Sequence, residues 1–205
     1  SGVIGRGTSC GGAGLRGIAR GRSGTRAGFF CGPYSGGCTS GVSEQTDNAG
    51  GDEGPGRVAV RSLARAKGVT ARRVTRAVQV ALAGQAVRSI SVAVVDDATI
   101  AELHERYLGD PSPTDVLSFD LRDDPAGDGL EGEIVVSVET AARQAKRLGL
   151  ALDQEILRYV VHGVLHLLGY DDGTAAQRRR MRRQEDRVLA DLAASERSKV
   201  RRRHM

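Results

Sequence analysis

Two histidines, His162 and His166, stand four positions apart in an almost wholly apolar segment. On an α-helix that spacing puts both side chains on one face, with Cβ atoms roughly 5–6 Å apart, so two imidazoles can bind one ion. Gly169 ends the predicted helix, and the chain then turns back so that Asp171 or Asp172 can reach the same ion. The pattern predicts a metal site of two histidines and one carboxylate, with a position left open for water, as is typical of catalytic zinc.

The alternative is a pair of core histidines held only by hydrogen bonds. Burying two imidazoles in so apolar a helix is costly unless something binds them, which favours the metal site. All three cysteines (Cys10, Cys31 and Cys38) lie in the first 40 residues and form no C-x-x-C pair. The ion is therefore expected to be held by histidine and carboxylate, in a reducing compartment.

The histidine spacing is that of zincin metalloproteases, with one difference. In the H-E-x-x-H pattern a glutamate follows the first histidine and acts as the general base. Here that position is Gly163. A peptidase would lack its base, so proteolysis is disfavoured.

Three further segments carry weaker signals. In Pro113–Phe119 a proline turn leads into a strand whose Thr114 and Ser118 could line a cleft, although for this segment alone a plain loop-to-strand turn is the favoured explanation. Residues 132–136 form a buried strand entered by an acidic residue. Residues 178–183 include five arginines, which could contact phosphates or could form a solvated helix face paired with the following acidic residues.

The chain has 205 residues, 40% of them hydrophobic and 3% aromatic, which suffices for one domain with an aliphatic core. Residues 1–56 hold more than half of the 28 glycines and show no apolar period, so we predict a disordered extension. An Arg-Gly nucleic-acid-binding tail and a transit peptide are the less favoured alternatives. We predict a domain at 57–194 and a basic tail at 195–205.

The net charge of +5 fits a nucleic-acid partner and a plain soluble surface equally well. No apolar run approaches the ~20 residues of a membrane-spanning helix, and no signal-peptide core is visible, so no membrane partner is expected.

Periodicity and caps predict the element order β-α-β-α-β-β-α-α-α and hence an α+β fold class. The predicted strands cover 58–60, 90–95, 116–121 and 133–138. The predicted helices run from Thr70 to about 84, then over 98–107, 139–148, 152–168 and 175–194.

In this order and spacing, the segments resemble the YbeY family of ribosomal RNA maturation factors. Residues 162–172 match the family's zinc motif H-G-x-L-H-L-x-G-Y-D-H, residues 113–119 match P-T-D/N-V-L-S-F, and residues 132–134 match the start of G-D-I-x-I. The resemblance covers about residues 57–194. It implies one small mixed sheet packed with about five helices, and a zincin-like cleft that holds one Zn²⁺ per chain.

The resemblance further implies a cytoplasmic, zinc-dependent, single-strand-specific endoribonuclease in 16S rRNA 3′-end maturation and ribosome quality control. Its implied partners are rRNA, small-subunit proteins and an assembly GTPase, and we expect a monomer. His162, His166 and Asp172 are the expected metal ligands and catalytic residues. Thr114, Ser118 and Arg106 are the candidate substrate-binding residues.

Two departures from the family pattern bear on function. Asp172 replaces the third histidine, which lowers the net charge of the loaded site by one unit, predicts a less acidified bound water, and makes manganese more plausible. Leu108 stands where the family often carries an arginine, and Arg106, two helical positions away, points about 200° from it. An rRNA-binding assembly factor with a structural metal is therefore the alternative function.

Overall fold

A computed structural model describes residues 57–63, 68–123 and 129–203. The predictions for residues 1–56, with their three cysteines, and for His204 lie outside the described residues. The elements follow the predicted order. They are β1 (Arg57–Leu63), α1 (Ala71–Leu82), β2 (Val87–Val95), α2 (Asp97–Leu108), β3 (Val116–Asp120), β4 (Leu130–Ser137), α3 (Val138–Leu148), α4 (Leu152–Leu167) and α5 (Ala175–Arg203).

The four strands form one mixed sheet in the order β1-β2-β4-β3. The strands β1, β2 and β4 are parallel, and β3 is antiparallel to β4 at one edge. The two central strands are joined in register, with Val92 opposite Ile134, and both of these side chains are fully buried. With its five helices, this sheet confirms the predicted α+β class.

Local sequence signals account for most of the helix boundaries. Thr70, Asp96 and Ser137 each accept a hydrogen bond from the backbone N–H three residues later, which caps α1, α2 and α3. Gly109 and Gly149 end α2 and α3 with φ angles of 75° and 66°, a left-handed conformation that glycine adopts without strain. These caps fix where α2 and α3 end, and therefore where the connections to β3 and to α4 begin.

Four element ends differ from the prediction by three residues or more. Strand β1 continues to Leu63 rather than 60, and β2 begins at Val87 rather than at 90. Strand β4 begins at Leu130 rather than at 133, because its first residues pair with β2, Leu130 opposite Val87 and Gly132 opposite Ile90. Helix α5 continues beyond 194 to Arg203. No glycine or proline interrupts that stretch.

Helix α4 lies directly on the sheet, and Gly163 is the point of closest approach. A Cβ atom at this position would lie 2.8 Å from Ile134 Cγ2 and 2.9 Å from Ser118 Oγ. Both distances are shorter than Cβ contacts in real proteins, so any side chain at this position requires Ile134 and Ser118 to shift. The structure therefore gives a packing reason for the missing glutamate: a long acidic side chain at 163 would have to enter the sheet.

Within the described residues, none of the helices is both long and apolar enough to cross a membrane.

Replacing Gly163 with Ala is expected to destabilise the fold. Overpacking of a core typically costs about 1–3 kcal/mol, whereas the helix propensity of Ala returns up to about 1 kcal/mol. We expect a net loss of about 1–2 kcal/mol in the free energy of unfolding, from urea unfolding in chelator so that metal loss does not contribute.

Gly173→Ala is the matched control, since its Cβ would make only an ordinary contact, 3.6 Å from Gln177 Oε1. It should change stability little. A Gly163→Ala protein as stable as wild type would contradict the close approach of α4 to the sheet.

Candidate metal centre

The two histidines of α4 converge through their ε nitrogens. The Nε2 atoms of His162 and His166 are 2.9 Å apart, and the rings meet edge to face with centroids 4.6 Å apart. Both residues are buried, with exposures of 8% and 5%. One oxygen of Asp172 joins them, and the three ligand atoms all lie within 4.8 Å of one another. The structure thus brings together the three residues predicted to hold the ion.

Of the two candidate carboxylates, Asp172 is the one in this cluster. Asp171 is committed elsewhere: its Oδ1 accepts the backbone N–H groups of Asp172 and Gly173, at 2.7 and 3.3 Å. Its Oδ2 accepts from the Gln177 side chain at 3.1 Å. Asp171 therefore shapes the loop that presents Asp172.

The other nitrogen of each imidazole is held by an acceptor. His162 Nδ1 lies 2.6 Å from a Glu185 carboxylate oxygen, and His166 Nδ1 lies 3.0 Å from the Tyr170 carbonyl oxygen. A carbonyl, and an ionised carboxylate, can only accept, so both Nδ1 atoms carry the hydrogen and both neutral rings present a bare Nε2.

Two bare lone pairs 2.9 Å apart repel each other unless a proton or a metal ion lies between them. This donor set, together with the Asp172 carboxylate, fits a divalent metal ion.

The electrostatics keep this arrangement in its ligating form. Burial lowers the pKa of His166, and a proton on His162 would lower it further, so the neutral ring of His166 is favoured. Burial by itself would raise the pKa of Glu185, but the hydrogen bond and charge of His162, with the charge of Arg158, bring it below its usual value. Glu185 is therefore ionised and accepts from His162 at neutral pH.

Glu185 is the functional residue that the sequence-based prediction missed. It lies on α5 and is 5% exposed, among the buried Met181, Val188 and Leu192 of the same helix face. Its second oxygen accepts from Arg158 at 3.2 Å, and the same guanidinium donates to Asp186 at 2.9 Å. The available signal was an acidic residue inside an apolar stripe of helical spacing.

The three candidate substrate-binding residues occupy different environments. Ser118 is 5% exposed and packs beneath α4 against Gly163. The half-buried Thr114 donates to Asp115 at 3.2 Å, and Arg106 is exposed in the last turn of α2. Their contact with a substrate stays a prediction.

A buried acidic residue also lies on α4, seven residues or about two helical turns before His162. Glu155 is 2% exposed, and one of its carboxylate oxygens has no hydrogen-bond partner among the described residues. The Tyr159 hydroxyl donates to it, yet burial and the neighbouring charge of Asp115 raise the pKa of Glu155. Burial also raises the pKa of Asp115, whose charge interacts with His162. The metal centre thus borders a region that disfavours further negative charge.

Comparison with known proteins gives consistent results. The family model described as Endoribonuclease YbeY matches residues 62–193. A protein of that name from Moorella thermoacetica is 45% identical over 129 residues, covering 57% of this chain and 83% of the relative. One from Salinibacter ruber is 41% identical over 112 residues, covering 52% and 71%. The solution structure of a Thermotoga maritima protein matches with a TM-score of 0.50 at 25% identity, covering 68% of this chain and 93% of the other.

Glu185→Gln is expected to weaken metal binding. The amide can still accept from His162 but carries no charge, and loss of such an outer partner typically costs 10–100-fold in metal affinity, so we expect a loss of about that size. Competition with a fluorescent chelator measures it.

Asp186→Asn is the matched control, because it also removes one negative charge bonded to Arg158 but touches neither histidine. It should leave the affinity close to that of wild type. Equal losses in the two variants would show that Glu185 acts only through bulk charge.

Glu155→Gln is expected to stabilise the protein at neutral pH. Folding raises the pKa of Glu155, so the protonated carboxyl is favoured in the folded protein. Its contribution to the free energy of unfolding is fully present below the pKa of the unfolded chain, and it is lost as the pH rises through the pKa of the folded protein. The neutral amide avoids this loss. The gain should therefore vanish below the ordinary glutamate pKa of 4.5.

Urea unfolding over a series of pH values measures the effect, with the exposed Glu102→Gln as control. A difference that stays constant from acid to neutral pH would contradict an origin in the buried charge.

Proposed function

The chain belongs to the endoribonuclease YbeY family, and we propose that it acts as a zinc-dependent, single-strand-specific endoribonuclease. The observation that carries this proposal is the convergence of two buried imidazole nitrogens and the partly buried Asp172 carboxylate in one cluster. Two nitrogens and one oxygen suit zinc, and the carboxylate also suits manganese. When bound there, the ion supplies Lewis acidity toward a phosphodiester oxygen.

The chain's own residues hold that centre ready. Glu185 and the Tyr170 carbonyl fix the orientation of the two imidazoles. The loop that carries Asp172 is held by Arg178, whose guanidinium donates to the carbonyls of Asp172 and Gly173, at 3.0 and 3.1 Å. The ligands therefore need little rearrangement when substrate arrives.

Packing at Gly163 separates this function from proteolysis. A zincin peptidase needs a glutamate at that position, and the sheet leaves no room for it.

A second candidate function is an rRNA-binding assembly factor whose metal is structural. The observation that favours it is Leu108, an aliphatic side chain 38% exposed at the end of α2, where relatives often carry a cation. A hydrocarbon there cannot hold a phosphate. The two functions differ in whether bound RNA is cut.

We also propose 16S rRNA 3′-end maturation and ribosome quality control as the setting, in the cytoplasm, with small-subunit proteins and an assembly GTPase as partners. The family membership supports this setting.

Purified protein should cleave single-stranded RNA and leave duplex RNA intact. Chelator should abolish the cleavage and added zinc should restore it, because the ion is held only by three side chains. His162→Ala should reduce cleavage to background, whereas Asp186→Asn should not. Gel analysis of end-labelled RNA provides the measurement.

Zinc-loaded protein that binds RNA without cutting it would contradict the nuclease and support the assembly factor.

A further inference from the structure

Helix α5 begins with a dense group of arginines, Arg178, Arg179, Arg180, Arg182 and Arg183, here called the arginine face. We propose that the arginine face binds the phosphate backbone of single-stranded RNA and holds it beside the metal centre. This inference rests on the proposed function, because that function makes RNA the substrate.

The arginine face adjoins the metal centre. Arg178 bonds to the carbonyl of the ligand Asp172. Arg182 precedes Glu185 by three residues and Arg178 precedes it by seven, spacings that share one side of a helix. Glu185 in turn contacts His162. An RNA strand bound on this side, by Arg178 and Arg182, passes the metal ligands. Arg179 and Arg183 project roughly 120° and 160° from Glu185 around the helix, so they contact flanking phosphates and add affinity.

A second arginine, Arg180, contacts Tyr170, the residue whose carbonyl orients His166. The guanidinium carbon of Arg180 lies over the Tyr170 ring, 4.9 Å from its centroid, and the Tyr170 carbonyl accepts from His166. This cation–π contact occupies none of the acceptors that an anion would offer, so the N–H groups of Arg180 can still bind a phosphate. The contact places a cation next to the residue whose carbonyl orients His166.

The positive charge of the face is not neutralised from within the described part of the chain. The acidic residues that follow it, Glu185 and Asp186, pair with Arg158 of α4. The first turn of α5 holds no acidic residue. Arg179, Arg182 and Arg183 are exposed, and the described residues offer them no ion pair. The face is solvated, as the sequence-based alternative holds, but the pairing with the following acidic residues is not found within the described residues.

The arrangement also works against the helix itself. Arg178 and Arg182, like Arg179 and Arg183, are four residues apart, where like charges repel. A polyanion removes this repulsion, and guanidinium groups bind phosphate through two parallel hydrogen bonds. The face thus supplies the cationic contact that Leu108 cannot.

The test is binding of a fluorescein-labelled single-stranded RNA, followed by anisotropy in chelator over a series of salt concentrations. The variant Arg179→Gln/Arg182→Gln/Arg183→Gln changes none of the contacts made by Arg178 or Arg180. It should bind at least about tenfold more weakly, with a log–log salt slope smaller by about 2, since each phosphate contact to a single strand contributes about 0.7.

A matched control removes the same charge elsewhere. Arg72→Gln/Lys146→Gln/Arg197→Gln alters three exposed cations on α1, on α3 and far along α5. It should change affinity only slightly. Replacing the same three α5 arginines with lysine should keep most of the binding, because lysine retains the charge. Circular dichroism confirms that each protein is folded; if the triple glutamine variant is not, the three single variants are measured and should each lower the slope.

The inference is overturned if the α5 variant loses no more affinity than the control, or if its salt slope is unchanged. The same proteins separate this inference from the proposed function. If RNA binding depends on the arginine face but zinc-loaded wild type does not cleave RNA, the proposed nuclease function is contradicted and this inference stands. If the α5 variant cleaves RNA with an unchanged KM, the nuclease function stands and this inference is contradicted.

Discussion

The hydrogen bond from His162 to Glu185 is the contact on which the metal centre depends. It joins α4 to α5 across 23 residues of sequence, at 2.6 Å. Glu185 accepts the hydrogen bond from His162 Nδ1, which leaves Nε2 as the nitrogen that faces the ion. The Tyr170 carbonyl accepts in the same way from Nδ1 of His166. Without these acceptors the two rings could rotate or exchange tautomers, and their spacing on the helix would not guarantee a shared ligand position.

The sheet makes that contact possible because α4 packs closely against it. Gly163 lets the helix backbone rest on Ile134 of β4 and on Ser118 of β3. The histidines on either side of it then turn toward α5 rather than toward the core. The glycine that excludes a peptidase base is therefore also the residue that seats the metal-binding helix, so one packing requirement decides both the geometry and the class of chemistry.

Sequence reasoning succeeded where the determinants are local. The histidine spacing, the Thr70, Asp96 and Ser137 caps and the glycine stops are short-range signals, and the element order follows from them. It missed Glu185, because the contact with His162 depends on how two helices pack. Spacing alone left Asp171 and Asp172 open, since the choice is made by backbone N–H groups within the loop, and only the family resemblance selected Asp172. Sequence reasoning also started β4 late, because the pairing partner of Leu130 is in another strand.

The charges around the centre connect its departures from the family pattern. The resemblance implies a neutral histidine at the position of Asp172, which here brings a negative charge, and a cation at the position of Leu108, which here is aliphatic. Both changes make the surroundings less attractive to a polyanion. The arginines of α5 act in the opposite direction, and Arg178 and Arg180 hold the loop and the tyrosine that support the metal ligands. Repulsion between an RNA phosphate and the Asp172 carboxylate grows as the RNA approaches the metal site. Cations on α5, which also carries Glu185, oppose this repulsion where it is strongest. In the proposed nuclease, the cations that attract RNA would therefore lie on α5, whereas α4 and the loop that follows it carry the metal ligands.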